Sequence, residues 1–466
     1  MSLCFSGARP ETLTEFKNKK VLVVGLGKSG QAAAHWLAGE GAEVTVSEMR
    51  PRSELSPELL REVGQWGIRV EAGGHREEDF LKTELIVASP GVPLDLGPLK
   101  AARSRGIPIR GDLELAIEKM NIPVLAVTGT NGKSTVTTFL GALLTQAGLK
   151  VFVGGNIGTP VFEYLSGHQK ADYAVLEISS FQLDLMVHFS PLVSILLNIT
   201  PDHLDRYPDY EAYAASKLSM TRQQGPGQYA ILNDDDERLR RFDPGRGMTV
   251  LRYGLAREKN RQAFIEGEQW VLALPGANEQ FFDLKPYKLP GRHNLENLMA
   301  CGLAGAALGI APAAIRQTIH GFRGLAHRLE WTGTVGEVDF FDDSKATNID
   351  AAIRAIQSFD RPVILIAGGR HKGAESEPLV RACSAPVRAA VLMGESKELL
   401  CRAFEGRIPF KVVKDMGEAV TQAHTLAEPG DVVLLAPACS SFDMFTDYAQ
   451  RGRAFSRAVK ELPSGR

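Results

Sequence analysis

Residues 126–135 read Ala-Val-Thr-Gly-Thr-Asn-Gly-Lys-Ser-Thr and sit where a β-rich run gives way to a helical one. Gly129 and Gly132 allow a tight turn whose backbone N–H groups point inward. Those groups and the helix N-terminus attract phosphate oxygens. Lys133 can reach the outer phosphates of a nucleoside triphosphate, and Ser134 can ligate Mg²⁺. The glycine usual five positions before the second glycine is Val127 here, so this is a variant P-loop. The competing reading is a plain glycine turn with a surface lysine. Strand, turn, Gly-Lys-Ser-Thr and helix coincide, which argues against it.

A second turn, Gly25-x-Gly27-x-x-Gly30, lies between a strand and a helix, and Glu48 ends the next strand eighteen residues later. This resembles the dinucleotide fingerprint with its ribose-binding acid. Alone it leaves three readings open: NAD(P), another nucleotide, or a tight connection with no ligand.

Further chemistry-bearing residues fall just past apolar strands, where α/β sheets bind ligands. Glu177 ends Tyr-Ala-Val-Leu-Glu-Ile, and His203 follows Ile-Leu-Leu-Asn; a carboxylate and an imidazole suit a divalent cation. A helix cap and a loop histidine are the plain alternatives. Lys217 lies on a helix-like stretch, and its spacing alone places it on a solvated face. The turn Phe-Phe-Asp-Asp-Ser-Lys-Ala-Thr-Asn at 340–348 crowds Asp342, Asp343, Ser344, Lys345 and Thr347. Such residues cap helices, but two acids and a lysine also suit phosphate or substrate handling. Lys372 and Ser441 follow later strands, so these turns should share one rim. Arg328 could reach nucleotide phosphates. Cys439 has no partner motif and reads as a small buried thiol.

The elements that must position these residues are βα repeats, giving an α/β fold with mostly parallel sheets. At 466 residues the chain has room for about three domains. We place them at 1–112, 113–324 and 325–466: Rossmann-like, P-loop and Rossmann-like. A polar, turn-rich stretch at about 221–290 should hold a small antiparallel section. A helix is expected at 294–308 and a closing helix at about 443–461. The 53 Lys and Arg against 55 Asp and Glu give a net charge of −2, which excludes a strongly basic nucleic-acid binder. The 5 cysteines form no CxxC pair, so a disulfide framework and a zinc site are not expected. The N-terminus has no apolar core of a signal peptide, and no apolar run approaches the roughly 20 residues of a membrane span. A soluble, cytoplasmic chain with no membrane or nucleic-acid partner is expected.

Taken together, Gly-Leu-Gly-Lys-Ser-Gly, Ser-Pro-Gly-Val-Pro (89–93), the P-loop, Gly-Gly-Asn-Ile-Gly (154–158), Leu-Glu-Ile-Ser-Ser-Phe-Gln-Leu, Asn-Ile-Thr-Pro-Asp-His-Leu-Asp-Arg-Tyr, Asp-Asp-Ser-Lys-Ala-Thr-Asn and Pro-Ala-Cys-Ser-Ser-Phe-Asp are similar to the motifs of the Mur ligases. The resemblance spans essentially the whole chain and is strongest to the members that add D-glutamate to UDP-N-acetylmuramoyl-L-alanine. It implies ATP, two Mg²⁺ and an acyl phosphate, in a monomer. It assigns Gly27, Lys28, Ser29, Glu48, Arg50, Gly91, Asn156 and His203 to the UDP substrate. Gly129, Thr130, Asn131, Gly132, Lys133, Ser134, Thr135, Asn297, Arg328, Asp343 and Lys345 fall to ATP. Thr347, Lys372, Ser441 and Tyr448 fall to D-glutamate, with Tyr448 where the family often has phenylalanine. One Mg²⁺ is expected at Ser134 and Glu177, the other at His203 and a carbamylated Lys217. Lys133, Glu177, His203, Lys217 and Lys345 would carry catalysis. The P-loop alone marks a wider superfamily, so a folylpolyglutamate synthase-like ligase stays open, and a dehydrogenase remains a more distant reading.

Overall fold

The structure is a computed structural model that describes residues 15–463 except 168, 169, 246 and 288. Cys4 and residues 1–14 of the N-terminal stretch lie outside the described residues. The chain packs as two compact units, residues 1–123 with 152–190, and residues 124–151 with 191–466.

In the first unit, five parallel strands run in the order Arg69–Ala72, Glu43–Glu48, Lys20–Val24, Leu85–Ala88, Ile109–Gly111. Val21 to Val24 are all buried because helices cover both faces of a parallel sheet. Leu22, Val24, Phe80, Ile86 and Leu99 form one side of this core. The strand order reverses between Lys20–Val24 and Leu85–Ala88, which opens a crevice beside the glycine turn. Residues 152–190, which lie within the expected 113–324 segment, group with residues 1–123 in this unit. The buried carboxylate of Glu114 accepts the N–H groups of Val187 and His188, each at 2.6 Å. Phe162 packs at a tilt against Trp36 with ring centroids 5.2 Å apart. Gly111 is needed because a Cβ there would lie 2.8 Å from Leu185 Cβ.

Asp112 opens the helix Asp112–Met120 in this unit and is 3% exposed. One oxygen accepts Leu113 N–H at 2.6 Å; the other has no hydrogen-bond partner. Burial pushes its carboxyl up to about 7. The unfolded chain therefore ionises this group first as pH rises, and stability falls between about pH 4 and pH 7. A carboxyl moved that far carries an upper limit of about 4 kcal/mol. We expect Asp112→Asn to raise the melting temperature at pH 8 and to change it little at pH 4. Thermal melts at the two pH values check this; an equal shift at both would refute it.

In the second unit, seven strands of a nine-stranded sheet run Gln280–Asp283, Gln269–Leu272, Ala263–Glu266, Thr249–Tyr253, Tyr229–Asn233, Val193–Leu196, Val124–Thr128. Its first three strands are antiparallel neighbours and form the small antiparallel section expected within 221–290. The other sheet runs Glu330–Val335, Val338–Asp342, Val432–Leu435, Val363–Gly368, Val387–Met393, Phe410–Val412, and only Glu330–Val335 is antiparallel. The expected helices appear as Arg292–Ala307 and Tyr448–Lys460. Among the described residues no helix is long and apolar enough to cross a membrane.

Candidate functional site

In the second unit the strand Val124–Thr128 runs into the glycine turn and the helix Lys133–Gln146. Gly129 and Gly132 have φ of 149° and 89°, which L side chains rarely adopt. A Cβ on Gly132 would also lie 2.5 Å from Asn297 Oδ1. Asn198, at the end of Ile-Leu-Leu-Asn, clamps the loop: its Oδ1 accepts Asn131 N–H at 2.8 Å and its Nδ2 donates to Asn131 O at 3.0 Å. Lys133 Nζ folds back to donate to Gly129 O at 2.8 Å and Thr130 O at 2.9 Å. Ser134 Oγ accepts Arg328 Nη2 at 2.7 Å. Asn131, Gly132, Asn297, Arg328, Asp343 and Lys345 line one cleft, so residues far apart in sequence converge beside the loop. Desolvation pushes the Asp343 carboxyl up to about 7, against the pull of Arg328.

Next to this cleft, Asp202 is 6% exposed and takes Asn348 Nδ2 at 3.1 Å and Lys372 Nζ at 3.4 Å. Burial raises its carboxyl, but Lys372, His203, Asn348 and Lys133 together hold it below the usual range. His203 has φ of 55° and its N–H donates to Asp202 Oδ1 at 2.9 Å. Burial, helped by three nearby lysines, pushes its imidazole down to about 4 against Asp202, so it is neutral at pH 7 and able to ligate a cation. Lys217, expected on a solvated face, is instead 2% exposed, and its Nζ donates to Gly129 O at 2.9 Å. The helix Tyr210–Leu218 turns that lysine inward, with Nζ 4.8 Å from the Tyr213 ring centre.

The loops after Val338–Asp342 and Val432–Leu435 are tied by Arg451, 2% exposed, which donates to Ser344 O at 2.8 Å and Cys439 O at 3.1 Å. This places Ser441, buried, and Tyr448 on the rim with the Asp-Asp-Ser-Lys turn. Lys345 Nζ lies 3.9 Å from the Tyr448 ring centre. Thr347 N–H donates to Lys345 O at 2.7 Å inside the same turn. Asp342 fixes His327 through a 2.7 Å contact to Nδ1. Cys439 is fully buried, and burial pushes its thiol up to about 11, as suits an unreactive core residue.

In the first unit, Gly27 and Lys28 are exposed and Ser29 half-buried at the start of the helix Lys28–Gly39. Gly30 is required, since a Cβ there would overlap Gly25 O. Glu48 is 6% exposed and turned onto this turn, while Gly91 is exposed beyond the neighbouring strand. Asn156 Nδ2 donates to Glu177 Oε1 at 2.8 Å, and Glu177 Oε2, buried, has no hydrogen-bond partner. An orphaned carboxylate oxygen of this kind fits a hard cation such as Mg²⁺.

Three family profiles cover the chain: "Mur ligase MurD-like, N-terminal domain" at residues 19–111, "Mur ligase middle domain" at 127–305 and "Mur ligase, glutamate ligase domain" at 327–439. A curated UDP-N-acetylmuramoylalanine--D-glutamate ligase of Desulfosudis oleivorans is 42% identical over 97% of this chain and 98% of its own length. The chain belongs to the Mur ligase family. A protein of the same description from Geotalea uraniireducens is 39% identical over 97% of this chain and 99% of its own. Two solved Thermotoga maritima structures share the fold. The UDP-N-acetylmuramate-alanine ligase has a TM-score of 0.58 at 19% identity, covering 95% of this chain and 99% of that one. The MurF ligase in complex with ADP has 0.58 at 18%, covering 97% and 100%.

For a Mur ligase, the sequence reading passed over several residues that the geometry brings forward. Asp202, Asn348 and Asn198 hold the loops beside the cleft, and Arg451 ties the two C-terminal turns. Ser89 Oγ is buried without a hydrogen-bond partner and faces the glycine turn, 3.4 Å and 3.1 Å from where a Cβ on Gly25 and on Gly30 would stand. Asn198 and Asp202 sit inside Asn-Ile-Thr-Pro-Asp-His, and Ser89 opens Ser-Pro-Gly-Val-Pro at a strand end.

Proposed function

We propose that this Mur ligase joins D-glutamate to UDP-N-acetylmuramoyl-L-alanine with hydrolysis of ATP to ADP and phosphate, in the cytoplasm and as a monomer. The observation that carries this reading is the end-to-end identity of about 40% with relatives of that one description. The alanyl carboxylate attacks the γ-phosphorus and ADP leaves, giving an acyl phosphate. The amine of D-glutamate then attacks the acyl carbon, and phosphate leaves as the amide forms. Mg²⁺ held through His203 and a carbamylated Lys217, and through Ser134 of the P-loop, would neutralise charge on the transferring group; in the first unit, the orphaned Glu177 oxygen would serve as a cation ligand. Lys133 would bind the outer phosphates, and Asn297, Arg328, Asp343 and Lys345 would orient the nucleotide. The lining of one cleft by these last four supports that role.

Thr347, Lys372, Ser441 and Tyr448 would receive D-glutamate. Lys372 pairs with Asp202 in the ligand-free protein and would exchange that carboxylate for one of the amino acid's. We therefore expect Lys372→Ala or Ser441→Ala to raise the KM for D-glutamate by roughly tenfold or more, the loss of a charge-assisted bond. Steady-state kinetics check this, and a change confined to the KM for ATP would refute it. The reaction itself is tested by ADP release with the UDP-muramoyl-alanine acceptor and D-glutamate, L-glutamate, D-aspartate or a diamino acid. Turnover with D-glutamate alone is expected; turnover of L-glutamate on a folate would overturn the assignment.

A further inference from the structure

We infer that Glu48 is a positioning residue that locks the phosphate-binding turn, and that the nucleotide ribose is read without it. The inference rests on the proposed reading of the first unit as the UDP site. In the dinucleotide fingerprint, the acid ending the second strand accepts the ribose hydroxyls. Glu48 holds that position in sequence, but its carboxylate is already engaged. Oε2 accepts Leu26 N–H at 2.7 Å, inside the glycine turn. Oε1 accepts Arg50 N–H at 3.0 Å and Arg50 Nε at 2.9 Å. Arg50 Nη2 adds a longer contact to Oε2 at 3.4 Å. A carboxylate offers about four acceptor positions, and these donors take them.

The backbone around Glu48 is equally committed. Its carbonyl accepts Gly73 N–H at 3.1 Å and Gly74 N–H at 3.2 Å, and Ser47 O accepts Gly25 N–H at 2.8 Å. The strand end, the glycine turn and the loop after Arg69–Ala72 are thus one bonded assembly with the carboxylate at its centre. With Leu26 N–H consumed by Glu48, the turn presents Gly27 and the first helical N–H groups to an anion. The exposed neighbours at this strand end are Met49, 56% exposed, and the outer part of Arg50. They offer the nucleoside an apolar shelf and a cation instead of a carboxylate.

The test is calorimetric binding of UDP and 2′-deoxy-UDP to the full chain, wild type and Glu48→Gln, with ADP as a control. A ribose hydroxyl bonded to a carboxylate is worth on the order of tenfold or more. We expect the wild type to bind both uridine nucleotides within about threefold, well inside that range. Glu48→Gln should weaken both by a similar factor, on the order of tenfold, with ADP binding unchanged. A wild-type preference for UDP of tenfold or more, erased in Glu48→Gln, would overturn the inference. So would unaltered UDP binding by the variant. The wild-type comparison stands even if the variant does not fold. Failure of the wild type to bind UDP, with ADP binding intact, would instead remove the nucleotide reading of this unit and the inference with it.

Discussion

Lys133→Ala should reduce ADP formation by about a thousandfold or more while the protein remains folded. The side chain is part-buried and closes two carbonyls of its own loop, Gly129 O and Thr130 O. Those bonds are ones a free loop can replace with water, so the folded state loses about 1 kcal/mol for each. The catalytic loss is larger because the lysine's charge matters most where negative charge accumulates on the transferring phosphoryl group. Removing one preorganised donor of that kind typically costs a factor of 10² to 10³, and a cation on phosphate more. The backbone of the loop should survive, since Asn198 clamps Asn131 independently. ADP release in single turnover, with circular dichroism as the folding control, decides the matter. Turnover within about tenfold of the wild type would remove Lys133 from the phosphate site.

Residues contiguous in sequence were the ones most easily read. The P-loop and the first glycine turn each carry strand, turn and helix within some fifteen residues, so local chemistry determines their geometry. Strand-end placement also anticipated the shared rim, because βα units put every loop of one kind on one edge. The turn-rich composition of about 221–290 points to a small antiparallel section, which the structure has at 263–283. Tyr229–Asn233 and Thr249–Tyr253 were not recognised, since each is a five-residue strand flanked by polar residues. What failed depended on long-range contacts. Nothing local shows that Glu114 would bind the segment at 187–188. Helical spacing gave Lys217 a solvated face, whereas tertiary packing buried it. Glu48 satisfied the fingerprint by position, but only the structure shows which donors its carboxylate serves.

That burial of Lys217 leads to the second large effect. Lys217→Ala should retain less than about 1% of activity, and a small carboxylate such as formate or acetate should restore part of it. An ammonium cannot ligate Mg²⁺; its carbamate is an anionic oxygen donor and can. Nζ is buried beside Gly129 O and near His203, whose imidazole is neutral at pH 7 and so available as a fellow ligand. Truncation would leave a cavity of side-chain size in which a one- or two-carbon carboxylate can stand where the carbamate would be. The rival account makes Lys217 a strut that holds the Gly129 carbonyl. Lys217→Met separates the two, because it fills the space and can neither donate to Gly129 O nor carry a carbamate. The ligand role predicts that Lys217→Ala responds to carboxylate and Lys217→Met, its cavity filled, does not. It also predicts that bicarbonate depletion slows the wild type. A strut predicts no response to carboxylate in either variant and indifference to bicarbonate. Titrating formate against both variants while recording melting temperature distinguishes rescue of chemistry from rescue of folding.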